Sequence, residues 1–265
     1  MATQTATISP TASLPAAPPR SSTNPYIGIL GVFLGAGIAT LNARLVSVGL
    51  PDLRGATGFG FDEASWIPTA LNMATMFSGV FVVFINALLG PRRILLPTAA
   101  IFTLASLLLP FAPGYWEMLA LTVIAGLTSG TFYSLTMTFV LTTLPKRLII
   151  FGIAAYAADI VFVSNIASVL QGWYSEHLSW HWIFWNAAIF TPVMMICVHF
   201  GIPHRSVPSD PKPSWLGFTY FSLGLALLYG ALDQGERLDW FHSGLIVGMF
   251  AAGMFLVLAA WVRRV

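Results

Sequence analysis

Two ionisable side chains stand inside long apolar runs. Asp159 lies in GIAAYAADIVFVSNIAS, and Arg44 lies in LNARLVSVGLP. A charge at the centre of a lipid-length helix costs about 2.5–3.5 kcal/mol on insertion scales, so such residues face a cavity or a partner. A carboxyl at that depth can carry a proton or contact a cationic substrate. The structural alternatives are an ion pair or a hydrogen-bonded buried carboxyl. Arg44 can extend its aliphatic stem outward to the interface or reach down into the bundle. A salt bridge between Arg44 and Asp159 is one arrangement that would offset both burial costs.

Neutral polar groups accompany these charges. A hydroxyl stripe runs through Thr128, Ser129, Thr131, Tyr133, Ser134, Thr136 and Thr138. Short hydroxyls can bond the carbonyl four residues back, so most of these are expected to be structural. Tyr133 is the member expected to face a cavity, with Asn72 and Asn165 as further candidates. No catalytic constellation is present. Gly58-Phe-Gly60 is a fragment of a glycine loop with no strand before it, so it does not read as a nucleotide site. Glu176, His177 and His181 do not form HExxH, and Cys197 is alone. The chain is therefore read as no enzyme, with no catalytic residue, no metal, no cofactor and no nucleic-acid partner.

The elements that must position these groups are membrane helices. The 265 residues are 57% hydrophobic and 8% charged, against about 25% charged in a soluble domain. A spanning helix needs about 20 mostly apolar residues. Eight runs qualify: 26–50, 66–89, 94–113, 116–142, 148–171, 180–202, 215–232 and 241–262. Asp159 falls 11 residues into the fifth run, which places it about 16 Å from the inner face. Residues 1–25 are rich in Pro, Ser, Thr and Ala, and read as a disordered cytoplasmic tail. Residues 203–214 read as a cytoplasmic linker, and 215–265 as two further helices with a truncated end.

Charge sets the orientation. With the N-terminus inside, Arg20, Arg92, Arg93, Lys146, Arg147, Arg205, Lys212, Arg263 and Arg264 are cytoplasmic, nine of the twelve Lys and Arg residues. Only Arg54 and Arg237 fall in outer loops, where eight of the ten acids also lie. Retention of Lys and Arg on the cytoplasmic side sets topology. The expectation is an all-α, multi-pass protein of the cell (inner, cytoplasmic) membrane, a polytopic helical bundle of about eight transmembrane helices with both termini cytoplasmic.

Several segments resemble the major facilitator superfamily, in its fourteen-span drug/proton antiporter branch of the EmrB/QacA type. LNARLVSVGLP resembles that branch's LDxTIVNVALP, and Trp66 falls where the branch opens its second span. Gly90-Pro-Arg-Arg93 resembles the end of its GxLxDrxGrR loop, which makes Gly90, Arg92 and Arg93 candidates for a cytoplasmic gating loop. Leu178-Ser-Trp-His-Trp-Ile-Phe184 with Asn186 resembles lSWRWIFxxN, the most specific piece. Ala231-Leu-Asp-Gln-Gly-Glu-Arg-Leu-Asp-Trp240 resembles the turn after the first of two helices inserted between the branch's halves.

The resemblance implies a six-helix N-terminal half over 26–202 plus two linker helices. It also implies a cavity lined by spans one, two, four and five, and a proton-coupled exporter of small organic molecules. There are departures. The signature acid is Asn42, and Arg44 replaces a threonine. Ala87 stands at the loop aspartate, RxxQG falls on Thr122, Ala125 and Gly126, and GPxLGG reads Ala167-Ser-Val-Leu-Gln-Gly172. Arg44 and Asp159 are thus candidates for a relocated charged pair, and Asn42 is a further candidate for proton or substrate binding. Transport by half of such a fold would require the missing C-terminal half or a second copy. The alternative is a truncated, non-transporting membrane protein that assembles with or regulates another transporter.

Overall fold

The computed structural model describes residues 25–202 and 215–263. The tail, the linker at 203–214, and Arg20, Arg205, Asp210, Lys212 and Arg264 lie outside the described residues. Those that are described form nine α-helices, two short 3-10 turns and no strand. The helices are α1 (Pro25–Val48), α2 (Leu50–Thr57), α3 (Phe61–Leu89), α4 (Pro91–Leu108), α5 (Tyr115–Thr143), α6 (Ile149–His177), α7 (Trp182–Gly201), α8 (Trp215–Gly235) and α9 (Gly244–Val262). Eight are long and apolar enough to cross a membrane. Helices dominate because a bilayer supplies no partners for backbone N–H and C=O groups, and a helix satisfies both within itself.

The boundaries differ from the apolar runs in an instructive way. The first run splits at Gly49, and α2 follows as a short helix with Pro51 in its first turn and Gly58 closing it at φ 73°. Helix α3 begins five residues early, where the Gly60 amide donates to the Glu63 carboxylate at 3.1 Å. Helix α6 continues six residues past its apolar run to His177. A helix runs on for as long as its ladder and caps hold, and polar residues at its ends find water.

Helix α1 is the centre of the bundle, packed against α5, α6 and α7, while α4 closes against α5 and α7. The core is built on Phe102, Phe132, Phe184, Leu45 and Ile183, all fully buried. The Phe102 and Phe132 rings meet edge-to-face at 5.5 Å. Close seams depend on missing side chains. A Cβ at Gly126 of α5 would stand 2.4 Å from the Leu71 carbonyl oxygen of α3, and one at Gly130 would stand 2.3 Å from that of Thr75. A Cβ on Gly31 of α1 would be 3.0 Å from Cys197 on α7. Small residues four apart allow this approach in membrane helices.

Helices α8 and α9 form a hairpin docked on α3. Phe84 and Phe218 pack at 5.6 Å. A polar cluster pins the far end. Thr69 donates to Asp233 at 2.5 Å, Gln234 donates to the Ser65 carbonyl at 3.2 Å, and Arg237 pairs with Asp62 and lies 5.9 Å over the Trp66 ring. Helix α6 is the least covered: Ile150, Phe151, Val161, Phe162 and Val169 are all exposed.

Candidate functional site, a cleft between four helices

A cleft of about 600 Å³ opens between α1, α3, α5 and α6, the first, second, fourth and fifth spans. Thr40, Ala43 and Arg44 line it from α1. Asn72, Thr75, Met76, Gly79 and Val80 come from α3, Gly130, Tyr133 and Ser134 from α5, and Ile160 and Ser164 from α6. Its lining residues follow helical periodicity. Positions 40, 43 and 44, and 72, 75, 76, 79 and 80, recur at three and four, which is one helix face.

The same periodicity separates neighbours in sequence. Asn42 lies two residues from Arg44 but on the opposite side of α1, where it is buried with its Oδ1 unpartnered. Tyr133 reaches the cleft, and its hydroxyl stands 3.1 Å from that of Thr40. Thr40 donates its own hydrogen to the Ala36 carbonyl at 2.9 Å, so Tyr133 is the donor between them. Thr75 donates to the Leu71 carbonyl at 2.8 Å, and Ser134 bridges to the Gly79 carbonyl across the α3–α5 seam. Elsewhere in the stripe Thr128, Thr131 and Thr138 bond carbonyls three or four residues back, and Thr136 also reaches Val32 of α1 at 2.6 Å.

Asp159 stands beside the cleft rather than in it. Its carboxylate oxygens lie 3.5 Å from where a Cβ on Gly37 would be, an ordinary van der Waals distance, so the carboxylate packs against α1 at that level. Oδ2 is buried with no hydrogen-bond partner. No salt bridge joins Asp159 to Arg44 among the described residues. Gly37, Thr40 and Arg44 share one stripe of α1, but seven residues separate Gly37 from Arg44, about 10 Å along the axis. That offset in depth, not a wrong face, keeps the charges apart. Asn165 turns outward, and its amide donates to the Val161 carbonyl of its own helix at 2.7 Å.

The basic loop resolves into two roles. Gly90 takes φ 79° between α3 and α4, a left-handed conformation that glycine adopts without a Cβ clash. Arg92 donates to the Ile202 carbonyl at 3.3 Å and contacts His199 Nδ1 at 3.1 Å, which ties the loop to the C-terminal end of α7. Arg93 is exposed. His177 approaches Glu176 only at 4.0 Å, and His181 contacts Ser179. No cluster of three ligating side chains occurs among the described residues.

Residues 32–265 match the Major Facilitator Superfamily. The chain belongs to this superfamily. It is a family of membrane transporters and not of enzymes, and the chain is accordingly a multi-pass cell-membrane protein. It is 25% identical over 222 residues to the fatty acid resistance protein FarB of Neisseria gonorrhoeae, covering 82% of this chain and 43% of that protein. It is 25% identical over 236 residues to the multidrug export protein EmrB of Haemophilus influenzae, covering 88% and 46%. The probable multidrug resistance protein EmrY of Escherichia coli is 24% identical over 219 residues, covering 82% and 43%. The chain thus spans less than half the length of these curated relatives. Among solved structures, a bacterial homologue of the human lysosomal transporter Spinster, inward-facing and occupied, gives a TM-score of 0.42 at 14% identity, over 90% of this chain and 60% of that one. That likeness is too loose to add to the family assignment.

Thr40, Thr75, Gly79, Gly130 and the apolar wall of Ala43, Met76, Val80 and Ile160 were not singled out by their chemistry. Their signal is positional: each lies three, four, seven or eight residues from a polar residue on the same helix.

Proposed function

We propose that this chain supplies one half of a secondary active transporter that exports small amphipathic organic molecules in exchange for protons. The observation that carries the reading is the cleft itself. Four helices of a superfamily member converge on a mostly apolar space with a few polar groups, the usual make-up of a small-molecule site. The names of EmrB and FarB, multidrug export and fatty acid resistance, point the same way. The open flank of α6 offers a face for a second half, supplied by further chain or by a second copy. Both termini are cytoplasmic in this reading, on the distribution of Lys and Arg.

Asp159 is the proposed proton site. Gain or loss of its proton changes the charge at the α1–α6 contact beside Gly37, and so biases the two helices between arrangements with different affinity for substrate. Rocking of one half against the other then exposes the cleft alternately to the two sides. In proteoliposomes carrying the complete transporter, Asp159→Asn is expected to abolish transport driven by a proton gradient while leaving substrate binding in place. An unchanged pH dependence in that variant removes Asp159 from coupling.

A further inference from the structure

We infer that the cleft selects anionic amphiphiles, with Arg44 as the residue that binds their acid group. The inference rests on the reading of this cleft as the substrate site and names the class of molecule it takes. Among the described residues lining the cleft, Arg44 alone is charged. It is exposed there, and no described carboxylate pairs with it. The nearest intramembrane acid, Asp159, is held about two turns away along α1.

The hydrogen-bond accounts of the other polar groups sharpen the case. Thr40, Thr75 and Ser134 spend their hydroxyl hydrogens on backbone carbonyls, and Tyr133 spends its own on Thr40. The Asn72 amide is engaged by the Tyr229 hydroxyl of α8, so the strong donor left to a ligand is the guanidinium of Arg44, with the Ser164 hydroxyl across from it on α6. A guanidinium is permanently charged and presents a planar fork of N–H groups that matches a carboxylate or phosphate in two parallel bonds. A cationic ligand would meet that fixed positive charge with no carboxylate in the lining to offset it. The remaining wall, Ala43, Met76, Val80 and Ile160, is apolar and suits a hydrocarbon body. The occupant is therefore acid at one end and aliphatic or aromatic along the rest.

A free organic acid and an anionic lipid headgroup share this chemistry. The test uses the 265-residue chain in nanodiscs of zwitterionic lipid. Binding of radiolabelled dodecanoate, dodecanol and dodecyltrimethylammonium is measured against empty nanodiscs. Dodecanoate is expected to bind best, Arg44→Gln to weaken it by at least about tenfold, the loss of one charge-assisted hydrogen bond, and Arg44→Lys to restore part of the affinity. Arg44 is exposed, so its replacement is not expected to unfold the chain, and an unchanged thermal transition confirms this. Adding phosphatidylglycerol separates the two sources. Undiminished dodecanoate binding assigns the site to free acids, and competition assigns it to lipid. Met76→Trp fills the cleft and is expected to reduce binding of all three probes. If Met76→Trp abolishes binding but Arg44→Gln leaves dodecanoate unaffected, or the cation binds as well as the acid, anion selection is wrong and the cleft reading stands. If dodecanoate binds and Met76→Trp leaves it untouched, or no probe binds, the cleft reading fails and the inference fails with it.

Discussion

Replacement of Gly130 by alanine is expected to force α3 and α5 apart. The new Cβ would stand 2.1 Å from Ser78 Oγ and 2.3 Å from the Thr75 carbonyl oxygen. Close C···O contacts in packed helices run about 3.3–3.6 Å, so the seam must open by roughly 1 Å. Ser78 can rotate away; the Thr75 carbonyl belongs to a helix backbone and cannot. Opening the seam also strains the interhelical bonds from Thr75 and Ser78 to the Gly126 carbonyl, at 3.3 and 3.4 Å. Overpacking of this kind costs about 1–3 kcal/mol, with the upper part of that range expected where the obstacle is backbone. Gly126→Ala meets the Leu71 carbonyl at 2.4 Å and should behave alike.

The assay is thermal unfolding in mild detergent, followed by tryptophan fluorescence. Gly172→Ala and Gly248→Ala serve as controls, since a Cβ at either position meets nothing within 4 Å. The controls should hold or slightly raise the transition, because alanine is the better helix former, and both seam variants should lower it. Ser78→Ala should not rescue Gly130→Ala, since the carbonyl remains. A Gly130→Ala transition equal to the controls, or full rescue by Ser78→Ala, would refute the claim that backbone approach sets this seam. Gly130 also lines the cleft, so the same variant should weaken ligand binding.

Two further outcomes follow from polar contacts at the helix ends. Arg237→Ala should lower the thermal transition clearly more than Asp62→Asn. Asp62 is 85% exposed, so the ion pair is screened, while Arg237 is mostly buried and also bonds Gln234 at 2.5 Å; equal effects would mean the ion pair alone matters. Arg92→Ala should loosen the end of α7, whose Ile202 carbonyl and His199 ring it contacts, and hydrogen exchange of the amides near residues 198–202 should rise several-fold. Unchanged exchange there would leave Arg92 with no role in holding the loop to α7.

What the sequence by itself determined was the set of spans and their class. Lipid leaves the backbone no alternative to the helix, so apolar length alone yields eight helices, and the SWHWIF stretch with its companions yields the family. Hydroxyl residues such as Thr128 and Thr138 were legible as structural for a related reason, because their partners are on their own helix. The short helix α2 was not legible, since its eight residues are too few and too mixed to show in a window sized for a bilayer.

Only the tertiary structure decided which polar groups meet. Asn42 and Arg44 are two residues apart, yet the core takes one and the cleft the other, and that choice depends on where α5, α6 and α7 stand around α1. Asn72 and Tyr133, on different helices, reach the same cleft, whereas Asn165 turns to its own backbone. Arg44 and Asp159 were natural partners by sign, but pairing needs equal depth as well as opposite charge. Depth along a helix is fixed by the seams it makes with its neighbours, such as Gly28 and Gly31 of α1 against α7, contacts set by shape. Hydropathy carries no record of that register, so the free arginine in the cleft emerges only from the packed bundle.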